Sequence, residues 1–361
     1  MSIAETLIAA LAWSLPELVR RRYREEWLAD VAGARELGLS PWAVVAGAVM
    51  TASTMDRTDP LVTGITKSRL AANRMRWAAA WLGSAVILGM GLFLWGGYAS
   101  LLGAPIAVGL QVLVFVLATL GLFSCLGAAV LAFDFHGGRT ALALGVGTVG
   151  VVVLVAAVML APFLALLGVP VALVAVIVAV SGLGEPAGTP RLSGSRRLGL
   201  ALPFTVLTLL IIAAGVMHIL VWNPLAKVPG VSLTEIYAEM SAANELSFAA
   251  SYGLVWAVFW GAAALMLPIL GSIGRLAGFL TARRIVVLGL FLVGATGACH
   301  WLAGFSMGMS LADTFMTSGG DAAPSGPVIA LIGQAALIAA ILVGLPPRRN
   351  AAKLVPAGPA A

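Results

Sequence analysis

Two histidines stand inside otherwise apolar runs, His218 and His300. In the span assignment given below, His218 sits near the outer end of the fifth run and His300 in the outer half of the seventh. Polar groups within a membrane are costly and often functional. Two imidazoles at similar depth have the chemistry to ligate haem or a metal, or to relay protons. The plainer reading is that each hydrogen-bonds a neighbouring helix. No spacing motif ties the two together. The acids predicted outside, Glu235, Glu239, Glu245, Asp313 and Asp321, have the charge to attract a cation, and Glu235 and Glu239 share a helix face by i,i+4 spacing. No loop resembles a calcium or zinc motif, so the expectation is a solvated acidic surface.

Other chemistries find no support. Gly145, Gly147 and Gly150 lie in an apolar run without the Lys of a phosphate-binding loop. There is no Gly-x-Ser-x-Gly, no His-Glu-x-x-His and no pair of intramembrane carboxylates. Apart from the terminal Asp134 and Glu185, the spans hold no acid or base other than His, which weakens the reading as an ion-driven pump. Cys125 and Cys299 are placed at different depths, and a disulfide needs Cα atoms within ~7 Å. No cofactor, bound metal or catalytic residue is expected, and the chain reads as non-enzymatic.

The elements that position these residues follow from composition. Of 361 residues, 61% are hydrophobic and 10% charged, against roughly 25% charged in soluble domains. A globule of this size has too much surface to hide that apolar excess, so lipid is the solvent for most of the chain. The net charge of +6 does not signal nucleic acid, because ten of the 21 basic residues precede Trp77 and most others sit in short loops. Arg outnumbers Lys 18 to 3, a balance that accompanies high-GC bacterial genomes. The apolar first 15 residues lack a basic start and a cleavage site, so they read as a retained helix.

Residues 1–70 read as a cytoplasmic helical module and linker. Ser14 to Leu37 is predicted as one amphipathic helix, with a capping box from Ser14 and Glu17 and Pro16 in the first turn. Val19, Tyr23, Trp27 and Val31 line one face. Arg21 with Glu25, and Arg22 with Glu26, make i,i+4 pairs, and Gly38 ends the helix. A further helix covers about 41–55, a third apolar one covers 3–13, and Asp56 to Lys67 is a polar linker. These helices pack on each other or lie on the membrane surface.

Residues 71–361 form an all-α transmembrane bundle. Eight runs have the length that crosses ~30 Å of hydrocarbon: 77–98, 106–132, 141–161, 164–183, 199–221, 248–270, 285–306 and 327–346. With the N-terminus inside, the inner side receives Arg74 and Arg76, Arg139, Arg191, Arg196 and Arg197, Arg275, Arg283 and Arg284, and Arg348, Arg349 and Lys353. Only Lys227 falls outside, a ratio of twenty to one. Both termini are therefore expected in the cytoplasm of a bacterium, with the chain in its inner membrane. In the long outer loop, Ser232 and Glu235 signal a capping box, and Leu233, Ile236, Tyr237 and Met240 predict a helix lying on the outer surface. Trp77, Trp81, Trp95 and Trp222 fall at interfaces, and Pro203 and Pro268 at kinks. Small residues four apart (Gly253, Ala257 and Gly261; Gly294 and Ala298; Gly304 and Gly308) allow close helix packing.

Leu15-Pro16, the Arg-rich turn Arg20 to Arg24, Glu26 to Asp30 and Gly38 to Pro41 resemble the N-terminal region of uncharacterised actinobacterial multi-pass membrane proteins. More loosely, they resemble helical permease-prefix or HAAS-type domains. The resemblance covers about a tenth of the chain, and the membrane part matches no permease motif. It implies a cytoplasmic module fused to a membrane domain, associated with permeases or membrane regulators. Two roles for the Val19, Tyr23, Trp27 and Val31 face stay open: docking on a cytoplasmic protein partner, or forming the module's own core. Three functional readings follow: a non-enzymatic regulatory membrane protein, a permease subunit or small-solute transporter, and a redox protein using His218 and His300. Nothing in the sequence sets an oligomeric state.

Overall fold

The computed structural model describes residues 2–94, 103–136, 192–249, 251–276 and 279–345, and every regular element among them is helical. The predicted spans 141–161 and 164–183 lie outside the described residues, as do Trp95, Arg139, Arg191, Arg348, Arg349 and Lys353. Six helices among the described residues are long and apolar enough to cross a membrane. The chain is an all-α, multi-pass membrane protein preceded by N-terminal helices.

The N-terminal module contains α1 (Ile3–Trp13), α2 (Glu17–Glu36) and α3 (Pro41–Thr54). The expected start of α2 needs correction. The capping box belongs to α1: Ser2 Oγ accepts from the Glu5 amide at 3.3 Å, and Glu5 Oε2 accepts from the Ser2 amide at 2.8 Å. Those bonds, joined by Arg35, hold the Glu5 carboxyl below its usual range. Ser14 instead closes α1, its hydroxyl donating to the Leu11 carbonyl at 2.7 Å, and Pro16 starts α2 without a side-chain cap. A Ser-x-x-Glu pattern fits both places, and the backbone break at residues 14–16 selects the first. The end of α2 follows expectation. Gly38 takes φ +71°, Leu39 N–H bonds the Ala34 carbonyl at 2.7 Å and Gly38 N–H bonds that of Arg35, satisfying carbonyls the helix leaves open.

The predicted face of α2 points into the module. Trp27 and Val31 are buried against Ile8 and Ala12 of α1 and Ala48 and Ala52 of α3, with Val19 and Tyr23 packed beside them. Tyr23 and Trp27 lie one turn apart with ring centroids 5.3 Å apart. On the opposite face Arg22 pairs with Glu26 at 2.7 Å and Arg21 with Glu25 at 3.7 Å, both exposed. The linker holds one short turn, α4 (Pro60–Thr63), before α5 (Lys67–Leu94). Trp77 and Trp81 stack on α5 with centroids 5.3 Å apart. The next long helix is α6 (Ala104–His136), whose Gly127 carbonyl accepts from Arg74 at 3.2 Å.

The later spans are α7 (Gly194–Met217), α11 (Ser251–Ser272), α12 (Ala282–Ala298) with α13 (His300–Phe315), and α14 (Ser325–Gly344). The loop between α7 and α11 adds α8 (Asn223–Lys227), α9 (Leu233–Ala242) and α10 (Leu246–Ala249). Three of the basic residues expected to orient the chain bond backbone carbonyls at or near helix ends. Buried Arg197 donates to the Ile273 carbonyl at 3.0 Å beyond α11, and Arg283 donates to Val343 and Gly344 at the end of α14. Arg284 reaches the Phe279 carbonyl at 2.9 Å. Cations at helix C-termini satisfy orphan carbonyls and complement the dipole. Arg76 and Arg196 lie near the starts of α5 and α7.

The tightest helix pair is α12 with α14. A Cβ on Gly297 would lie 2.8 Å from Gly333 Cα, and one on Gly294 would lie 2.6 Å from Leu337 Cγ. Of the predicted small-residue contacts, Gly294 and Gly308 stand at close approaches, whereas a Cβ on Gly261 meets nothing within 4 Å. Helix α9 forms with its predicted capping box, which holds the Glu235 carboxyl below its usual range. Its expected site on the lipid surface is corrected: Ile236 and Met240 are fully buried against Ile219, Met307 and Leu311 of the bundle. The apolar stripe meets protein because the spans leave their own apolar side chains open at that end.

Candidate functional site

Helix α7 does not stop at Met217. It widens through one π-turn, His218–Trp222, and continues as α8. The cause is local. Pro224 has no amide hydrogen, and its ring pushes away the carbonyl four residues earlier, that of Leu220. The backbone accommodates this with an i→i−5 bond from Asn223 N–H to the His218 carbonyl. The freed Leu220 carbonyl accepts from the Tyr237 hydroxyl of α9 at 2.5 Å. Tyr237→Phe removes that donor and leaves a part-buried carbonyl unsatisfied, so we expect about 1–3 kcal/mol of destabilisation. Thermal unfolding of the detergent-solubilised chain, followed by loss of the monodisperse peak, measures it. An unchanged midpoint would show that water replaces the hydroxyl.

The π-turn turns His218 inward, to 1% exposure, against His300, which is 0% exposed at the start of α13. The ring centroids are 4.8 Å apart with an edge-to-face angle of 64°. His218 Nδ1 lies 2.8 Å from Ser325 Oγ of α14. Its Nε2 lies 3.3 Å from Asp321 Oδ1, off the line of a straight hydrogen bond. Both ring nitrogens of His300 are buried without a hydrogen-bond partner. An unpaired buried polar atom costs ~1–3 kcal/mol, so this ring is the least satisfied group described in the bundle.

Two glycines make the close fit. A Cβ on Gly215 would lie 2.7 Å from the Trp256 ring and 3.5 Å from His300. A Cβ on Gly326 would collide with the Asp321 carboxylate and lie 2.9 Å from His218 Cε1. Trp256 stands edge-on to His300 at 6.4 Å and donates to the Thr296 carbonyl at 3.3 Å. The loop carrying Asp321 is pinned to the same helix end. Asn223 Oδ1 accepts from the Ala322 and Ala323 amides at 2.8 and 3.4 Å, and Lys227 Nζ donates to the Ser318 carbonyl at 2.6 Å.

The structure thus brings together His218, His300 and Asp321, which sequence spacing left unconnected. Asp321 is an exposed residue as expected, but its side chain, 20% exposed, turns toward His218. Glu245 departs from the expected solvated surface, accepting from Ser310 Oγ at 3.0 Å, while Glu235, Glu239 and Asp313 are exposed as expected. Ser325, Asn223, Gly215, Gly326 and Trp256 carried no signal in the sequence beyond the Asn-Pro pair after His218. Among the described residues no three His, Cys, Asp or Glu side chains are arranged to hold a metal ion. The two imidazoles touch edge to face, which leaves no slot between them for a haem ring. Cys125 and Cys299 are free thiols. No protein-family profile, curated protein or solved structure matches the chain.

Proposed function

We propose that this chain is a non-enzymatic regulatory membrane protein with a proton-responsive His218–His300–Asp321 cluster in its outer half. The observation that carries this reading is the fully buried His300 ring with two unpartnered nitrogens against a second imidazole. Imidazole gains a charge on acidification, and burial without a partner opposes that charge. One proton on the pair is balanced by the Asp321 carboxylate. A second proton puts two cations ~5 Å apart, a repulsion of about 3 kcal/mol at an effective dielectric constant near 20. The Lys227 ammonium lies within electrostatic reach of Asp321. Acid therefore loosens the 316–324 loop from the helix ends. The resemblance of the N-terminal module to permease-prefix and HAAS-type domains supports a regulatory role, and a cytoplasmic protein partner would meet the charged outer face of α2.

A transporter is less well supported, because the buried hydroxyls of Thr205 and Ser306 inside the bundle are engaged by backbone carbonyls. Thr205 donates to Ala264, and Ser306 to Ala249, both at 3.0 Å. The groove of about 660 Å³ beside Trp256 and Trp260 is lined by Phe259, Leu302 and Phe305, and suits hydrocarbon rather than a polar solute.

Cysteine accessibility tests both readings. In a chain with Cys125 and Cys299 replaced by Ala, Ala323→Cys should react faster with a membrane-impermeant maleimide at pH 4 than at pH 7.5. Rates are scaled to an exposed Thr234→Cys control outside that loop, and His300→Gln should abolish the difference. Equal scaled rates at both pH values refute the proton-responsive cluster. Thr208→Cys, fully buried in mid-span, should stay unlabelled. Its labelling would restore the transporter.

A further inference from the structure

We infer that α1 and α3 form a lipid-docking surface that lays the N-terminal module on the membrane leaflet. The module's three helices divide their charge unevenly. Helix α2 carries the charged outer face, α3 has no charged residue at all, and α1 has one, Glu5. Glu5 is tied to Ser2 and Arg35. A soluble three-helix unit would need polar outer faces on all three helices.

Instead, α1 and α3 turn large apolar side chains outward. Ile3 is 71% exposed and Met50 69%, and Leu7, Trp13, Trp42 and Val49 are exposed with them. These are not the core residues. The core takes Ala4, Ile8 and Ala12 from α1 and Ala48 and Ala52 from α3, the opposite faces. Two helices that pack on one another therefore each carry an apolar row on the side away from the core. Exposed apolar surface of this extent marks a membrane or protein contact.

Lipid is the occupant the chain itself supplies. Twelve residues separate Thr54 from Lys67, where the first membrane-spanning helix begins. Fully extended, they reach at most ~40 Å. The leaflet is thus an obligatory neighbour at high effective concentration, and docking there carries no bimolecular association cost. The side chains also suit an interface. Trp13 and Trp42 have the amphipathic rings found at head-group level, and the Arg20 guanidinium lies over the Trp13 ring at 4.9 Å. Charge is not the driving force: residues 1–66 hold six basic side chains against eight acidic ones. Docking by apolar area should persist at high salt and in zwitterionic lipid.

The test uses the full chain in lipid nanodiscs, with Cys125 and Cys299 replaced by Ala and one bimane label at a time. Labels go on Trp13→Cys, Trp42→Cys and Met50→Cys, with Arg21→Cys on the charged face as control. Nitroxide lipids probe contact with the bilayer, and aqueous iodide probes exposure to water. The three apolar positions should lose roughly half or more of their emission to nitroxide lipid and be protected from iodide, in low and high salt alike. The Arg21→Cys label should show the reverse. A second variant, Trp42→Glu with Met50→Glu, alters only outward side chains and should open the position-13 label to iodide. Iodide access without lipid quenching would overturn the proposal. Protection from both quenchers would also overturn it, since a protein would then cover the face.

Discussion

Trp27→Ala should unfold the N-terminal module rather than merely free its surface. The indole is 7% exposed at the junction of α1, α2 and α3, and stacks obliquely on Tyr23. Truncating a buried Trp to Ala typically costs ~3–5 kcal/mol. A unit of this size, residues 3–54, has roughly 3–8 kcal/mol of total stability at the usual value per residue. The loss is therefore comparable to everything that holds the three helices together. Most of the rest of the core is Ala, which cannot close a cavity the size of an indole. Amide hydrogen exchange of the full chain should show protection lost across 3–54. Arg21→Ala, with its side chain 90% exposed, should leave protection intact. If Trp27→Ala kept the module protected, the face would be a docking surface and not a core.

Gly333→Ala should be among the most damaging single-methyl changes in the bundle. An added Cβ would lie 2.5 Å from the Ala298 amide nitrogen and 2.7 Å from the Gly297 carbonyl carbon. Both are backbone atoms, so no side chain can swing aside and α14 must move away from α12. Overpacking costs ~1–3 kcal/mol where side chains can adjust, and this site sits at or above the top of that range. Gly261→Ala makes the opposite prediction. Nothing lies within 4 Å of its added Cβ, and Ala is favoured over Gly in a helix interior by ~0.5–1 kcal/mol. Thermal midpoints of the two variants in the same detergent should move in opposite directions. A neutral Gly333→Ala would mean that α12 and α14 are not in backbone contact.

These glycines show where reading the chain runs out. Gly253, Ala257 and Gly261 have the regular four-residue spacing that signals helix contact, yet Gly261 is open. The predicted pair Gly294 and Ala298 does stand at a backbone contact, with Gly333 of α14, but Gly297 and Gly333, which share no local spacing motif, complete it. Helical spacing says which residues share a face, and only packing says what that face meets. The same holds for α9. Its capping box and apolar stripe are local and were legible, but whether Ile236 and Met240 meet lipid or protein depends on helices distant in sequence. For α1 and α2 the ambiguity is local: two Ser-x-x-Glu patterns compete, and the backbone chooses Ser2.

Sequence by itself determined the solvent, the helical class, the approximate helix limits among the described residues and which residues of α2 share the apolar face. These depend on apolar content and on periodicity over a few turns, which are properties of contiguous residues. Tertiary structure alone decided that His218 meets His300 and Asp321. That meeting depends on a π-turn forced by Pro224, on Gly215 and Gly326 having no side chain, and on a loop fastened through Asn223. Contacts between residues about eighty to a hundred positions apart are set by how helices cross, and no local pattern encodes a crossing.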